Sequence, residues 1–186
     1  MKKILQKESP VLRKVGESIP IGEITSPKIQ KIIKEMRVAL ASQDDGVAIA
    51  APQIGESLRI FVVSGRLFKI EKKIAAGNDI DEPKKEGRDE TMYKDLVFIN
   101  PIIEKVSRKK VLVEEGCLSI RWLYGKVKRA EKVSISAYDE TVRKVRRGAS
   151  GLMAQVFQHE VDHLNGILFT DKASEVREIK PEKKNE

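Results

Sequence analysis

The sequence predicts an α+β fold in which antiparallel β-strands pack around a central helix that carries an HExxH motif. β-rich segments follow one another between residues 96 and 145 without a predicted helix between them, as in antiparallel sheets. Helical periodicity is confined to segments that flank this region. A length of 186 residues and a mass of 21.0 kDa suit one domain, so we expect a single domain over residues 1–186.

The first third of the chain predicts an extended arm, a helix and a buried strand. Residues 1–25 contain two prolines and predict an arm with at most a short helical turn. Ser26 and Pro27 predict a helix start, because serine caps helices and proline fits the first helical position. Apolar residues at helical spacing follow, and this helix is expected to end near Ser42. Residues 58–64 are typical of a buried strand.

Residues 65–95 differ in composition from the sequence around them, because lysines and acids alternate there with glycine and proline. Few large apolar side chains occur in this stretch, so it has little with which to build a core of its own. We interpret it as a charged insertion within the single domain, mobile or partly helical over residues 68–76.

The second half of the chain predicts successive strands and then a helix. The strand-like segments are residues 96–99, 102–106, 111–114 and 127–138, with another ending at Val145 after a turn at Asp139 and Glu140. A helix is predicted over residues 150–164, where apolar residues and both histidines share one face. Asn165 and Gly166 predict a left-handed cap at its end. The polar tail from residue 172 is predicted to form a short helix and then fray around Pro181.

The composition indicates a soluble protein of a reducing compartment. No apolar run approaches the roughly 20 residues that cross a membrane, and the first residues lack the apolar core of a secretory signal. A lone cysteine argues against a disulfide framework. We therefore expect a cytoplasmic location and no membrane partner.

The net charge of +8 has two interpretations. It either keeps an ordinary surface solvated or gives a weak attraction to a polyanion such as ribosomal RNA. The basic clusters lack interleaved aromatic residues, and no nucleic-acid-binding motif accompanies them, so specific DNA binding is not expected.

The two histidines of the chain, His159 and His163, lie four residues apart and can bind one metal ion from a single helix face. Glu160, next to the first of them, can then act on a water molecule at that metal. Cys117 is the only cysteine and completes a set of three ligands. Because catalytic sites keep one ligand position open, this set predicts a metallohydrolase.

Three segments, in this order along the chain, resemble the three motifs of the peptide deformylase family. They are residues 46–55 (GVAIAAPQIG), 115–119 (EGCLS) and 158–166 (QHEVDHLNG). The similarity spans residues 4–171, with the charged insertion outside it. It implies a metal-dependent hydrolase that removes the formyl group from the formyl-methionine of nascent polypeptides and releases formate. It also implies Fe(II) as the native metal, with Zn(II), Ni(II) or Co(II) as substitutes.

The resemblance also implies roles for residues around the metal. Glu160 accepts the proton of the water and delivers it to the departing amine. The side chain of Gln53 and the backbone N–H of Leu118 stabilise the oxyanion. The carbonyl of Ala48 accepts the formamide N–H, although the family usually has glycine at this position. As an alternative, Gln53 is an ordinary polar loop residue.

Val47, Leu152 and Val156 are the candidates for the wall of a methionine pocket, with plain core packing as the alternative. Gln155 stands where many relatives carry an apolar residue, and we expect it outside this pocket. Residues 121–124 (RWLY) replace a segment in which the family often has proline, so the resemblance implies no substrate preference beyond methionine.

Metal-bound histidines normally donate their second ring N–H to an acceptor, and Asp162 and Glu115 are the nearest acids in sequence. There is one alternative for each acid. Glu115 could pair with a base such as Arg129, and Asp162 could have a purely structural role.

Three other interpretations of the whole chain stay open. A zincin-like endopeptidase also uses HExxH, but its third ligand follows the helix, whereas Cys117 precedes it. A structural metal site in a module that binds anionic surfaces needs four protein ligands, and the chain has only three histidine and cysteine side chains. A degenerate deformylase with altered substrate choice is consistent with Ala48 and with residues 121–124.

Overall fold

The computed structural model describes residues 2–76 and 93–180. Within these ranges the chain forms three α-helices, which are α1 (Pro27–Ala41), α2 (Arg66–Ala75) and α3 (Gly151–Leu164). The eight strands are β1 (Ala48–Ala50), β2 (Ile60–Val63), β3 (Leu96–Val106), β4 (Lys110–Cys117), β5 (Ile120–Ala130), β6 (Lys132–Tyr138), β7 (Lys144–Ser150) and β8 (Ser174–Glu178). No helix in the described ranges has the length and apolar character that crossing a bilayer requires.

The strands form two antiparallel sheets. Five strands follow the order β1-β2-β3-β6-β7, and three follow the order β4-β5-β8. Helix α3 contacts strands of both sheets. Its Phe157 is fully buried and packs on Phe61 and Phe98 of the larger sheet, with ring centroids 6.0 and 5.0 Å away. Burial of each ring contributes roughly 1.5–3 kcal/mol. The predicted α+β class with antiparallel sheets is confirmed.

Helix α1 follows the prediction at both ends. At its start the Ser26 hydroxyl accepts the N–H of Ile29 at 3.4 Å, and Pro27 occupies the first helical position. At its end Ser42 is the C-cap residue. The apolar stripe of α1 is buried against the larger sheet. Capping and periodicity agree here, so local sequence was sufficient to place this helix.

The strands differ from the prediction in their boundaries. The segments predicted over residues 96–99 and 102–106 form one strand, β3. Its pairing with β6 is irregular between Ile99 and Ile102. The predicted strand over residues 127–138 is divided at Glu131 into β5 and β6, which belong to different sheets. Apolar patterning alone did not locate this change of sheet.

The prediction of a short helix in the polar tail is wrong. Residues Ser174–Glu178 form strand β8, which pairs antiparallel with β5. All five of its side chains are exposed, so the strand is held by backbone pairing and not by burial of an apolar face. Such pairing depends on a distant partner strand and overrides weak local preference. Residues 181–186 lie outside the described residues.

The predicted charged insertion begins with helix α2, as the expected partial helix indicated. Phe68 of α2 stacks on Tyr93, with ring centroids 5.3 Å apart, and the Arg147 guanidinium of β7 lies 5.2 Å from the Phe68 ring centre. Residues 77–92 of the predicted insertion lie outside the described residues.

Candidate metal centre

The three predicted ligand side chains lie close together. His159 and His163 lie on α3, and Cys117 is the last residue of β4. The ligand atoms of these residues all lie within 4.8 Å of one another. The Cys117 sulfur is 3.1 Å from Nε2 of His163, and the two imidazole rings are 4.9 Å apart between centroids. A thiol and two rings from distant parts of the chain therefore converge on one point.

Local geometry explains why these side chains meet. Cys117 pairs with Ile120 across a tight turn, so the thiol stands at the tip of the β4–β5 hairpin. Helix α3 ends at Leu164, and Gly166, two residues beyond it, has φ +71°. A Cβ there would come within 2.6 Å of the Arg13 carbonyl oxygen, so only glycine lets the arm pack under the helix end.

The start of α3 is capped from another element. The Ser150 side chain makes no capping hydrogen bond, and the backbone N–H of Met153 donates to the carboxylate of Glu71 at 3.0 Å. A carboxylate is favourable at a helix N-terminus, which carries partial positive charge. Glu71 of α2 therefore stabilises the N-terminus of α3, the helix that carries both histidines.

A buried chain of charges orients the first histidine. Nδ1 of His159 lies 2.9 Å from the Glu115 carboxylate, which accepts two hydrogen bonds from Arg129 at 2.7 and 2.8 Å. Arg129 also donates to Asp162 at 2.6 Å, and Lys172 contacts the same carboxylate at 2.7 and 2.8 Å. Glu115 thus contacts both His159 and Arg129. With Nδ1 engaged, Nε2 of His159 is the ring nitrogen left for a metal.

These contacts set the protonation of the ligands. Burial raises the pKa of the Cys117 thiol, but the neighbouring His163 and His159 rings lower it to about 5. The sulfur is therefore a thiolate at neutral pH, the form that binds metals. Burial lowers the pKa of His159, while its contacts with Cys117 and Glu115 raise it well above the usual value. Burial opposes ionisation of Glu115, but Arg129 and His159 lower its pKa to about 2.

Glu160 lies beside the cluster with an unusual environment for a carboxylate. Its side chain is buried, and its Oε2 has no hydrogen-bond partner within the described part of the chain. Burial raises the pKa of Glu160 to about 7, although the charges of His159 and His163 lower it. A group that titrates near neutrality suits both the acceptance and the release of a proton.

The ligand cluster opens into a cleft of about 280 Å³. The predicted site residues that line it are Val47, Ala48, Gln53, Cys117, Leu118, Leu152, Val156, His159 and Glu160. His163 is only 1% exposed and lies behind this surface. Val47, Leu152 and Val156 also pack against the hydrophobic core, so their position is consistent with pocket wall and with core packing.

Gln155, which we expect outside the methionine pocket, lines the wider cleft, because it precedes His159 by four residues and shares its helix face. Its amide donates to the Glu114 carbonyl at 2.7 Å and so ties α3 to β4. Residues 121–124, which the sequence singled out as a departure from the family pattern, also line the cleft. The sequence did not indicate the role of Lys172 beside Asp162, because no local pattern signals it.

Gln53 is fixed at the base of the cleft. Its Oε1 accepts the N–H of Ala50 at 2.8 Å, and its Nε2 donates to the Ser119 hydroxyl at 3.1 Å. The same Nε2 lies 3.6 Å from the Cys117 sulfur. The amide is therefore oriented with its N–H groups toward the ligand cluster.

The donor set fits a single divalent metal. A thiolate with two imidazoles is a ligand combination that suits Zn(II) and iron-group ions. In the described ranges this is the one group of three metal-ligating side chains close enough to share an ion. Nδ1 of His163 and one oxygen of Glu160 are buried without a partner there, which marks a polar site built for more than packing.

An α+β protein whose HExxH helix and hairpin thiolate meet at the floor of a cleft has the features of the metallohydrolase class. The family model described as polypeptide deformylase matches residues 1–178. The chain belongs to this family, whose members are metalloenzymes.

Related proteins agree with this assignment. Peptide deformylase 2 of Clostridium acetobutylicum is 36% identical over 94% of this chain and 97% of its own length. Peptide deformylase 1A of Solanum lycopersicum, a chloroplastic protein, is 37% identical over 92% of this chain. This chain spans 59% of the tomato protein and 60% of its Arabidopsis thaliana counterpart.

A solved structure shows the same fold. The crystal structure of a class I type b peptide deformylase from Acinetobacter baumannii, with Met-Ala-Ser bound, has a TM-score of 0.73 and 29% identity. The match covers 91% of this chain and 96% of that chain.

Proposed function

We propose that this protein removes the N-terminal formyl group from formyl-methionyl nascent polypeptides and releases formate. The observation that carries the proposal is the convergence of Cys117, His159 and His163 at a cleft lined by Glu160. Membership of the polypeptide deformylase family supports it. Met-Ala-Ser, the peptide bound in the A. baumannii structure, begins with methionine as a deformylated product would.

We propose that Cys117, His159 and His163 hold one divalent ion, natively Fe(II), with Zn(II), Ni(II) or Co(II) as working substitutes. When bound, the ion supplies a Lewis acid that makes water a stronger nucleophile near neutral pH and polarises the formyl carbonyl. Glu115 keeps His159 in the orientation needed for binding, since it holds Nδ1 at 2.9 Å.

Glu160 acts as the proton carrier of the reaction. It accepts the proton that the attacking water loses and delivers it to the amine nitrogen as the formyl C–N bond breaks. Its burial supports this role, because a carboxylate with few hydrogen bonds is a better base than a solvated one.

Gln53 and the backbone N–H of Leu118 stabilise the negative charge that develops on the formyl oxygen. The fixed amide of Gln53 supports this assignment, because a donor that is already oriented needs no reorganisation during the reaction. The Ala48 carbonyl accepts the formamide N–H.

The methionine side chain packs against Val47, Leu152 and Val156. The amide of Gln155 adds a polar edge to this otherwise apolar wall. We further propose a cytoplasmic site of action close to the ribosome, where the net charge of +8 favours weak attraction to RNA.

Formate release from formyl-Met-Ala, with Fe(II) added anaerobically and Zn(II) in parallel, tests the proposal. We expect release with Fe(II) and slower release with Zn(II), and none from acetyl-Met-Ala, which presents a bulkier acyl group. Cleavage of an internal peptide bond without any need for formyl would instead favour an endopeptidase. Absence of formate from fully metal-loaded protein would contradict the proposal.

A further inference from the structure

The strand β5 bulges over the cleft directly after the hairpin that carries Cys117. Cys117 pairs with Ile120, and the preceding residue Gly116 pairs with Tyr124. Residues 121–123 therefore have no partner on β4, although Leu123 still pairs with Glu178 of β8, and this extra length of β5 is an enlarged β-bulge. Bulges of this kind re-aim side chains, and they are over-represented next to active sites.

Trp122, at the centre of the bulge, has φ +67°. Large side chains rarely occupy this left-handed region. Within the described ranges the other large apolar residue with a similar angle is Val142, at φ +68°, whose side chain packs against the hydrophobic core. Trp122 belongs to none of the hydrophobic clusters formed by the described residues and lines the cleft instead. Core packing therefore explains Val142 but not Trp122.

Contacts on two sides hold the bulge in this conformation. The Trp122 carbonyl accepts the N–H of Ile179, beyond β8, at 2.7 Å. On the other side Arg121 donates to Asp45 at 2.6 and 3.2 Å and to Gln43 at 2.5 Å. The Arg121 guanidinium also lies 5.3 Å from the Trp122 ring centre. Unusual backbone conformations persist at functional sites when the surroundings over-determine them in this way.

The chemistry of this platform favours an uncharged peptide segment. The charge of Arg121 is neutralised by Asp45, so the guanidinium supports the indole without attracting an acidic ligand. A flat aromatic surface with one polar edge suits the apolar groups and amides of a peptide. A substrate whose formyl group sits at the ligand cluster must leave through the same cleft, past its rim.

We propose that Trp122 forms a binding subsite for the substrate residues that follow the first methionine, and so determines preference for peptide length and sequence. This inference rests on the proposed function, because it assumes that the formyl end of a peptide occupies the cleft. In this proposal the β5 bulge takes part in substrate recognition, and the tail segment around Ile179 holds the bulge in place.

Kinetics with substrates of increasing length test the subsite. We compare kcat/KM for N-formylmethioninamide, formyl-Met-Ala and formyl-Met-Ala-Ser in the wild type, Trp122→Asn and Trp122→Phe. Asparagine tolerates the left-handed backbone but removes the ring, whereas phenylalanine keeps an aromatic surface. In Trp122→Asn, the ratio of kcat/KM for formyl-Met-Ala-Ser to kcat/KM for N-formylmethioninamide should fall roughly tenfold, which corresponds to about 1.4 kcal/mol. The fall should come from a higher KM for the longer peptide. In Trp122→Phe this ratio of kcat/KM values should stay close to that of the wild type.

A ratio in Trp122→Asn within twofold of the wild type would overturn the proposal. A general folding defect would lower the values for all three substrates together, and would leave the ratio unchanged, so it also counts against the subsite. Thermal melts of both variants identify such a defect.

Fluorescence gives a second measurement that does not depend on turnover. Trp122 is the only tryptophan of the chain, so intrinsic emission reports on this ring alone. Titration with Met-Ala-Ser should shift the emission in a saturable way, whereas methioninamide should not. No shift with Met-Ala-Ser would overturn the subsite. If the wild type releases no formate from any substrate, the proposed function fails, and this titration still decides whether peptides reach Trp122.

Discussion

Arg129 shows at the scale of one residue how the site depends on buried charge. Its guanidinium joins Glu115 to Asp162, and its side chain is only 5% exposed. Burial tends to lower the pKa of Arg129, yet its contacts with the two carboxylates raise it. Arg129 thus offsets part of the negative charge of the two acids beside the candidate metal centre.

Arg129→Met should be strongly destabilising. It leaves Glu115 and Asp162 buried without this cation, and removal of one partner from such a group costs about 3–5 kcal/mol. Urea unfolding measures the change. The control is Lys172→Met, because the Lys172 side chain is 41% exposed and its loss should cost less than about 1 kcal/mol. Equal effects of the two variants would show that the buried network is not organised around Arg129.

Cys117→Ser tests the proposed soft ligand. A serine hydroxyl has nearly the same shape, but it is not ionised at neutral pH and binds Fe(II) or Zn(II) weakly. Metal retention after dialysis should fall by more than roughly 100-fold. Loss of a residue that only hydrogen-bonds to a metal ligand already lowers metal affinity by about 10–100-fold. Metal analysis at equal protein concentration measures it. A stoichiometric metal content in the variant would mean that Cys117 is not a ligand.

The site residues were predictable from sequence to different degrees. Cys117, His159 and His163 could be identified because they are the only residues of their types and two of them share a helix face. Arg129 and Lys172 could not be placed around Asp162, because their contacts depend on how β5 and the segment after α3 pack against this helix, which is a tertiary property. The bulge at Trp122 depends on strand pairing, which no local pattern records.

Among the elements, helices were predicted better than strands. Helix α1 has its cap and its apolar stripe in one continuous segment, so local sequence placed both ends. Strand β1 has only three residues, and strand β8 buries no side chain, so neither has a recognisable pattern. The division of β5 from β6 at Glu131 reflects the packing of two sheets, which is a tertiary property.

Asp171 links the loop after α3 to the N-terminal arm. Its carboxylate pairs with Arg13 and accepts the N–H of Leu168 at 2.9 Å. The hydrogen bond from Arg13 lowers the pKa of Asp171, with burial opposing it and Leu168 assisting. A carboxyl with a lowered folded pKa stabilises the fold above its unfolded pKa of about 3.9, and this stabilisation is lost as the pH falls through the folded value.

Asp171→Asn should therefore destabilise the protein at pH 7 and matter less at pH 3. The group is partly exposed, so the cost of losing its charge at pH 7 is no more than about 1 kcal/mol. Urea unfolding of both proteins between pH 7 and pH 3 measures the difference. A difference that grows as the pH falls would contradict this account of the ion pair.

At the scale of the whole molecule, the site lies where the two sheets meet. Helix α3 packs against the larger sheet and carries the histidines, while the smaller sheet carries Cys117 at its hairpin. The three ligands can therefore meet only when both sheets are docked on this helix. Such a site couples metal binding to folding, because the unfolded chain does not hold its ligands together.

Metal removal should accordingly lower global stability. A chelator that strips the ion leaves the thiolate and the two rings without their shared partner, and ligand binding to the folded state adds about 2.7 kcal/mol at 100 times the dissociation constant. Thermal melts of the metal-loaded and stripped wild type measure the shift. Cys117→Ser serves as the control and should show almost no shift on chelation. Identical melts of loaded and stripped wild type would mean that the ion is not bound between the sheets.

The most direct test of the account is formate release by Glu160→Ala at matched metal content. Glu160 is proposed to carry the proton and not to bind the ion, so the variant should retain stoichiometric metal. Its turnover of formyl-Met-Ala should fall by at least roughly 100-fold, the lower end of what a positioned proton carrier contributes. Wild-type turnover in a metal-loaded Glu160→Ala variant would contradict the mechanism at its centre.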